Sequence, residues 1–83
     1  MWGFGSSSLR TGKTYSYNFI VHAVGLTGRH GRDMLYDGTA FDTARSDDDR
    51  GTLETRLKAE TIEAARKELP RASRYVILKF EEI

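Results

Sequence analysis

The stretch Thr14–Val24, TYSYNFIVHAV, decides the fold. Tyr15, Tyr17, Phe19, Val21 and Ala23 fall on one face of an extended chain, and Ser16, Asn18, Ile20, His22 and Val24 on the other. Aromatic and β-branched residues at a period of two suit a pleated, half-buried surface, so the segment specifies a long strand. Its first face is apolar throughout and needs a cover.

Beyond the strand, Gly25, Gly28 and Gly31 punctuate GLTGRHGRD as a turn region. Two readings follow for Met34 to Ala44. Asp37–Gly38 can form a two-residue turn between short strands at Met34–Tyr36 and Thr39–Phe41. Alternatively the segment is one interrupted strand returning along the first, with GLTGRHGRD as the hairpin loop. The second reading is preferred because it pairs the long strand more fully.

Asp47–Gly51 reads as a loop whose acidic residues sit where a helix N-terminus attracts negative charge. The helix itself is expected from about Thr52 to Leu69. Leu53, Leu57, Thr61, Ala65 and Leu69 form an i+4 row, widened by Ile62. Glu54–Lys58 and Glu63–Lys67 support the solvent side, with Thr52 as N-cap and Pro70 enforcing the end. Arg74–Ile83 is a last strand, with Val76, Leu78 and Phe80 on one face and Tyr75 and Ile77 on the other. The expected fold is α+β: a small antiparallel sheet of three to four strands with one α-helix packed on one face, in β-β(-β)-α-β order. Phe19, Val21, Val76, Leu78 and Phe80 would meet Leu53, Leu57, Ile62, Ala65 and Leu69. Residues 1–13 read as an irregular arm and 14–83 as the single domain.

A chain of 83 residues closes only one core, and 39% apolar with 30% charged residues is ordinary for a folded protein. The net charge of +1 selects neither a polyanionic nor a polycationic partner. Its distribution is uneven: basic over the first third, acidic around Asp37–Glu54, mixed after that. The absence of cysteine excludes disulfides, thiolate chemistry and cysteine-ligated zinc. No apolar run approaches a membrane span and no apolar leader opens the chain, so a cytoplasmic setting is expected.

Several motifs fail on context. Ser7–Thr14, SSLRTGKT, nearly matches a phosphate-binding loop, but Ser7 stands where its first glycine belongs and a strand follows where a helix is needed. Gly28–Gly31, GRHG, has the letters of a KH-domain backbone clamp without the helix that must precede it. Asp47–Asp49 does not continue into a calcium loop, because Gly51 and Lys58 occupy ligand positions. His22 and His30 lack zinc-ligand spacing, and no serine is marked as a nucleophile. The chain therefore reads as a non-enzyme, with no cofactor and no metal.

What remains is surface. A single helix covers one side of the sheet, which leaves Ile20, Val24, Tyr75 and Ile77 beside Asn18, His22 and Lys79 on the other. Trp2 and Phe4 on the glycine-rich arm are a second candidate contact, and the acidic Asp47, Asp48 and Asp49 a third. Together they point to a protein-binding module whose partner is another protein or a second copy, such as an accessory subunit or a stoichiometric inhibitor that occludes a surface. The build is similar to that of many small phage or mobile-element proteins, in architecture alone. The alternative is nucleic-acid binding through Arg10, Lys13, Arg29, His30 and Arg32 around the glycine-rich tip.

Overall fold

The computed structural model describes residues 9–26 and 34–83. Strand β1 spans Thr14–Val24, β2 spans Met34–Thr43, helix α1 spans Arg50–Glu68 and β3 spans Arg74–Glu82. The sheet order is β2-β1-β3, with β1 antiparallel to both neighbours. β2 and β3 therefore run parallel to each other on opposite flanks of β1, and α1 makes the crossover between them. The architecture is the expected α+β fold, with three strands. Met34–Thr43 is one strand running through Asp37–Gly38, not a second hairpin.

The alternation of β1 places its aromatic face under the helix. Tyr15, Tyr17, Phe19, Val21 and Ala23 are all buried, and from the helix Leu53, Leu57, Thr61 and Ala65 meet them. Each fully buried side chain of this size stabilises the fold by roughly 1.5–3 kcal/mol. Tyr17 stacks on Phe80 of β3 with ring centroids 4.7 Å apart, and Phe19 meets Tyr36 of β2 at 5.5 Å. Gly38, opposite Phe19 in the register, lies beneath that ring: a Cβ there would stand 3.2 Å from Phe19 Cζ. The missing side chain is what lets the aromatic lie across the strand.

Two expectations need correction. The helix begins at Arg50, and Asp49 rather than Thr52 is its N-cap, its carboxylate accepting the Thr52 N–H at 2.7 Å. Leu69 is only partly buried at the C-cap, outside the buried core, and its carbonyl accepts the Tyr75 hydroxyl at 2.6 Å. The larger correction concerns β3. Tyr75 and Ile77 pack with Ala65, Phe19 and Val21 on the helix side, while Val76 and Leu78 are exposed. The cause is a register shift: Val21 pairs with Ile77 but Ile20 pairs with Lys79, so Leu78 is an extra residue. A bulge places two consecutive residues on one side, which resets the alternation and returns Phe80 to the core.

Ahead of β1, the arm from Leu9 onward is docked rather than free. Leu9 packs against the core, and the Arg10 N–H donates to the Tyr15 hydroxyl at 2.9 Å. Gly12 takes a positive φ of 87° in the turn, and its N–H donates to the Ala44 carbonyl at 2.9 Å.

Candidate functional site: the open face of the sheet

Opposite the helix, the sheet presents cross-strand rows set by the register. Leu35, His22 and Val76 form one row; Asp37, Ile20 and Lys79 the next; Thr39, Asn18 and Glu81 a third. A fourth contains Phe41 and Ser16, and it is closed by Ile83, whose N–H donates to the Ser16 carbonyl at 2.9 Å. Leu35 is 60% exposed, Phe41 65% and Leu78 56%. Ile20 and Val24 are partly covered by their neighbours. Charge is confined to the flanks: Asp37 on β2, and Arg74, Lys79 and Glu81 on β3, so the face is balanced. Lys79 Nζ stands 3.5 Å from Glu81 on its own strand. A shallow hollow of about 320 Å³ lies between β1 and the flanking charges, lined by Asn18, Ile20, Asp37, Thr39 and Lys79. Such a surface can bury apolar area against another protein while its flanking charges select orientation.

Of the expected contact residues, Ile20 and Val24 are on this face. Tyr75 and Ile77 are not, because the bulge carries them under the helix, and Val76 and Leu78 take their place. Leu35, Phe41 and Ile83 join the face without being among the expected residues. The period-two signal for Leu35 and Phe41 is present in β2, but its facing depends on hairpin register, which loop composition does not define.

The acidic run is not a free cluster. Arg56, from the second turn of α1, donates two hydrogen bonds to Asp48, both at 2.9 Å, and one from Nε to Asp42 at 3.0 Å. The Arg45 N–H adds a bond to Asp48 Oδ2 at 2.8 Å. The Asp48 side chain is 2% exposed. The Arg56 guanidinium and then the Arg45 amide hold its carboxyl down to about 2. Hydrogen bonding from the Thr43 N–H, then from Arg56, lowers Asp42 as well. The same interactions raise Arg56 above the ordinary arginine value. Asp49 is lowered by the Thr52 amide and hydroxyl at the cap. Of Asp47, Asp48 and Asp49, expected as a contact surface, Asp48 has a buried side chain and fastens the loop, Asp49 caps the helix while remaining exposed, and Asp47 is exposed without such a role.

Of the basic residues proposed for nucleic acid, Lys13 Nζ lies 5.2 Å from the centre of the Tyr15 ring, with Arg50 at 5.7 Å. Arg50 also pairs with Glu82. Burial, together with Glu54 and Glu82, pushes the Tyr17 hydroxyl above its ordinary value, and that hydroxyl donates to Glu54 at 3.4 Å. Tyr15, Tyr17 and Phe19 are buried against the helix. Trp2, Phe4, Arg29, His30 and Arg32 lie outside the described residues. Among the described residues no group of three or more metal-ligating side chains converges, and no helix is long and apolar enough to cross a membrane.

Comparison with protein-family models, with curated proteins and with solved structures finds no match for this chain.

Proposed function

We propose that this chain is a non-enzymatic protein-binding module that uses the open face of its sheet to cover a surface of its partner, as an accessory subunit or stoichiometric inhibitor does. One observation carries the reading. Leu35, Phe41 and Leu78, each more than half exposed, share the face that the only helix of the described residues leaves uncovered. Exposed apolar residues gathered at both ends of one sheet face, Leu35 and Val76 at one end and Phe41 and Ile83 at the other with a polar middle between them, support an interaction surface. The balanced charges at its flanks favour a protein surface over a polyanion, since phosphate binding draws on clustered Lys and Arg. Phage or mobile-element origin belongs to the same reading and rests on architecture alone.

The test is retention of partners from the source lysate by immobilised wild type, Phe41→Asp and Lys67→Ala, each with and without nuclease. The expected result is a stoichiometric protein that survives nuclease, is lost with Phe41→Asp and is kept by Lys67→Ala on the outer side of the helix. Retention that nuclease abolishes would replace this reading with nucleic-acid binding through Arg10, Lys13, Arg29, His30 and Arg32. A protein held equally by Phe41→Asp would remove the open face from the account.

A further inference from the structure

Resting on the open face as a protein-binding surface, we propose that its partner is a second copy of this chain, packed face to face about a two-fold axis lying along β1. Two sheets can meet face to face by a two-fold only if the axis lies in the plane between them. An axis parallel to β1 exchanges the two flanks and keeps every cross-strand row at its own height, so register needs no further choice.

The consequences can be read row by row from the observed pairing. Asp37 of β2 comes over Lys79 of the second copy, and Lys79 over the second copy's Asp37. Leu35 comes over the second Val76, Phe41 over the second Ile83, and Ile20 over its own counterpart. Thr39, whose hydroxyl donates to Asn18 Oδ1 at 3.1 Å, comes over Glu81. The apolar end rows thus meet apolar rows, Asp37 and Lys79 meet in two symmetry-related pairs, and Glu81 faces the neutral Thr39. A two-fold running across the strands through the Asp37–Ile20–Lys79 row would instead oppose Asp37 to Asp37 and Lys79 to Lys79. Packed sheets keep their strand directions within about 30°, which displaces side chains close to the axis very little. The hollow beside Asp37, Thr39 and Asn18 provides the space that an incoming Lys79 occupies.

Size sets the scale of the contact. Three strands about 4.8 Å apart, with about eight shared residues of 3.4 Å rise, give a flat footprint of roughly 14 by 27 Å on each copy. Both copies together fall at the lower end of specific interfaces, near about 1,000 Å² once side-chain relief is included. Area alone does not fix affinity, so the association is sought from micromolar to millimolar concentration.

The decisive experiment is sedimentation equilibrium of wild type, Asp37→Lys and Lys79→Asp, alone and as an equimolar mixture of the two variants. Both positions are exposed, and circular dichroism of each variant checks that the fold is kept. Wild type is expected to dimerise between micromolar and millimolar concentration, and each single variant at least tenfold more weakly. The mixture is expected to recover wild-type affinity. In the heterodimer the lysine introduced at position 37 faces the aspartate introduced at position 79, while the native Lys79 of the first variant faces the native Asp37 of the second. Wild type that stays monomeric to millimolar concentration would overturn the inference, as would a mixture no tighter than its components. Capture of a partner by wild type but not by Phe41→Asp separates the two ideas. If it persists for a monomeric chain, the open face is an interface for a different protein and only the second-copy inference falls.

Discussion

On the helix side of the sheet, Tyr17, Phe19 and Val21 are buried beneath Leu53, Leu57 and Ala65. On the other side of the same strands, Leu35, Phe41 and Leu78 stand exposed. The difference lies in supply: one crossover helix is enough to cover one side of three strands. Apolar residues on the covered side hold the fold together, and those on the uncovered side are free to serve an association. The contrast is sharpest in β3, where one extra residue at the bulge decides that Ile77 is structural and Leu78 is surface.

The comparison breaks first if the two sides respond alike to truncation. Leu57→Ala, at a fully buried site, is expected to cost about 2–5 kcal/mol of stability, while Phe41→Ser should change it by no more than about 0.5 kcal/mol. Urea titrations of the two variants measure this, and a cost at Phe41 as large as at Leu57 would mean that the open face is not open.

Gly38→Val probes the boundary between the sides. Its branched side chain would press on the Phe19 ring, which a Cβ at this position already approaches to 3.2 Å, so a loss of about 1–3 kcal/mol is expected by thermal denaturation. A neutral result would show that Phe19 can move aside at little cost.

Acid sharpens the role of the Asp42–Arg56–Asp48 cluster. The Asp48 carboxyl is held at about 2 in the folded chain, below its ordinary value. A depressed carboxylate contributes stability above its unfolded value, near pH 4, and loses that contribution as pH falls through the folded value. Stability should therefore decline between about pH 4 and pH 2, and Arg56→Ala should move the acid midpoint upward and lower stability at neutral pH. Identical acid curves for the two proteins would contradict the assignment.

A gain is expected at Thr61, whose buried hydroxyl has no hydrogen-bond partner among the described residues. Thr61→Val keeps the shape and removes that cost, so a gain of up to about 1 kcal/mol is expected in chemical denaturation. A loss would reveal that the hydroxyl is bonded in solution.

The β1 alternation, the Leu53-Leu57-Thr61-Ala65 row and the stop at Pro70 are legible in the sequence, because each depends on a period or on local backbone chemistry. The facing of β3 is not legible by strict alternation. The apolar pattern Tyr75, Ile77, Phe80 contains a step of three, which is the trace a bulge leaves, but the same letters also fit Val76, Leu78 and Phe80 in unbroken alternation. Only pairing with β1 discriminates between them. Asp48 is misread for a related reason: an acidic run looks solvated until Arg56, a full turn and more into the helix, folds back to meet it. Of the open face, Ile20 and Val24 are therefore legible in the sequence, while Leu35, Phe41 and Leu78 need the register.

The central claim, that the uncovered face is where this protein meets another protein, is tested most directly by hydroxyl-radical footprinting at low and at high association. Oxidation of Phe41, Leu35 and Leu78 should fall when the protein is associated, while Lys67 and Glu63 on the outer side of the helix keep their rates. Unchanged oxidation of Phe41 and Leu78 in the associated protein would contradict the account.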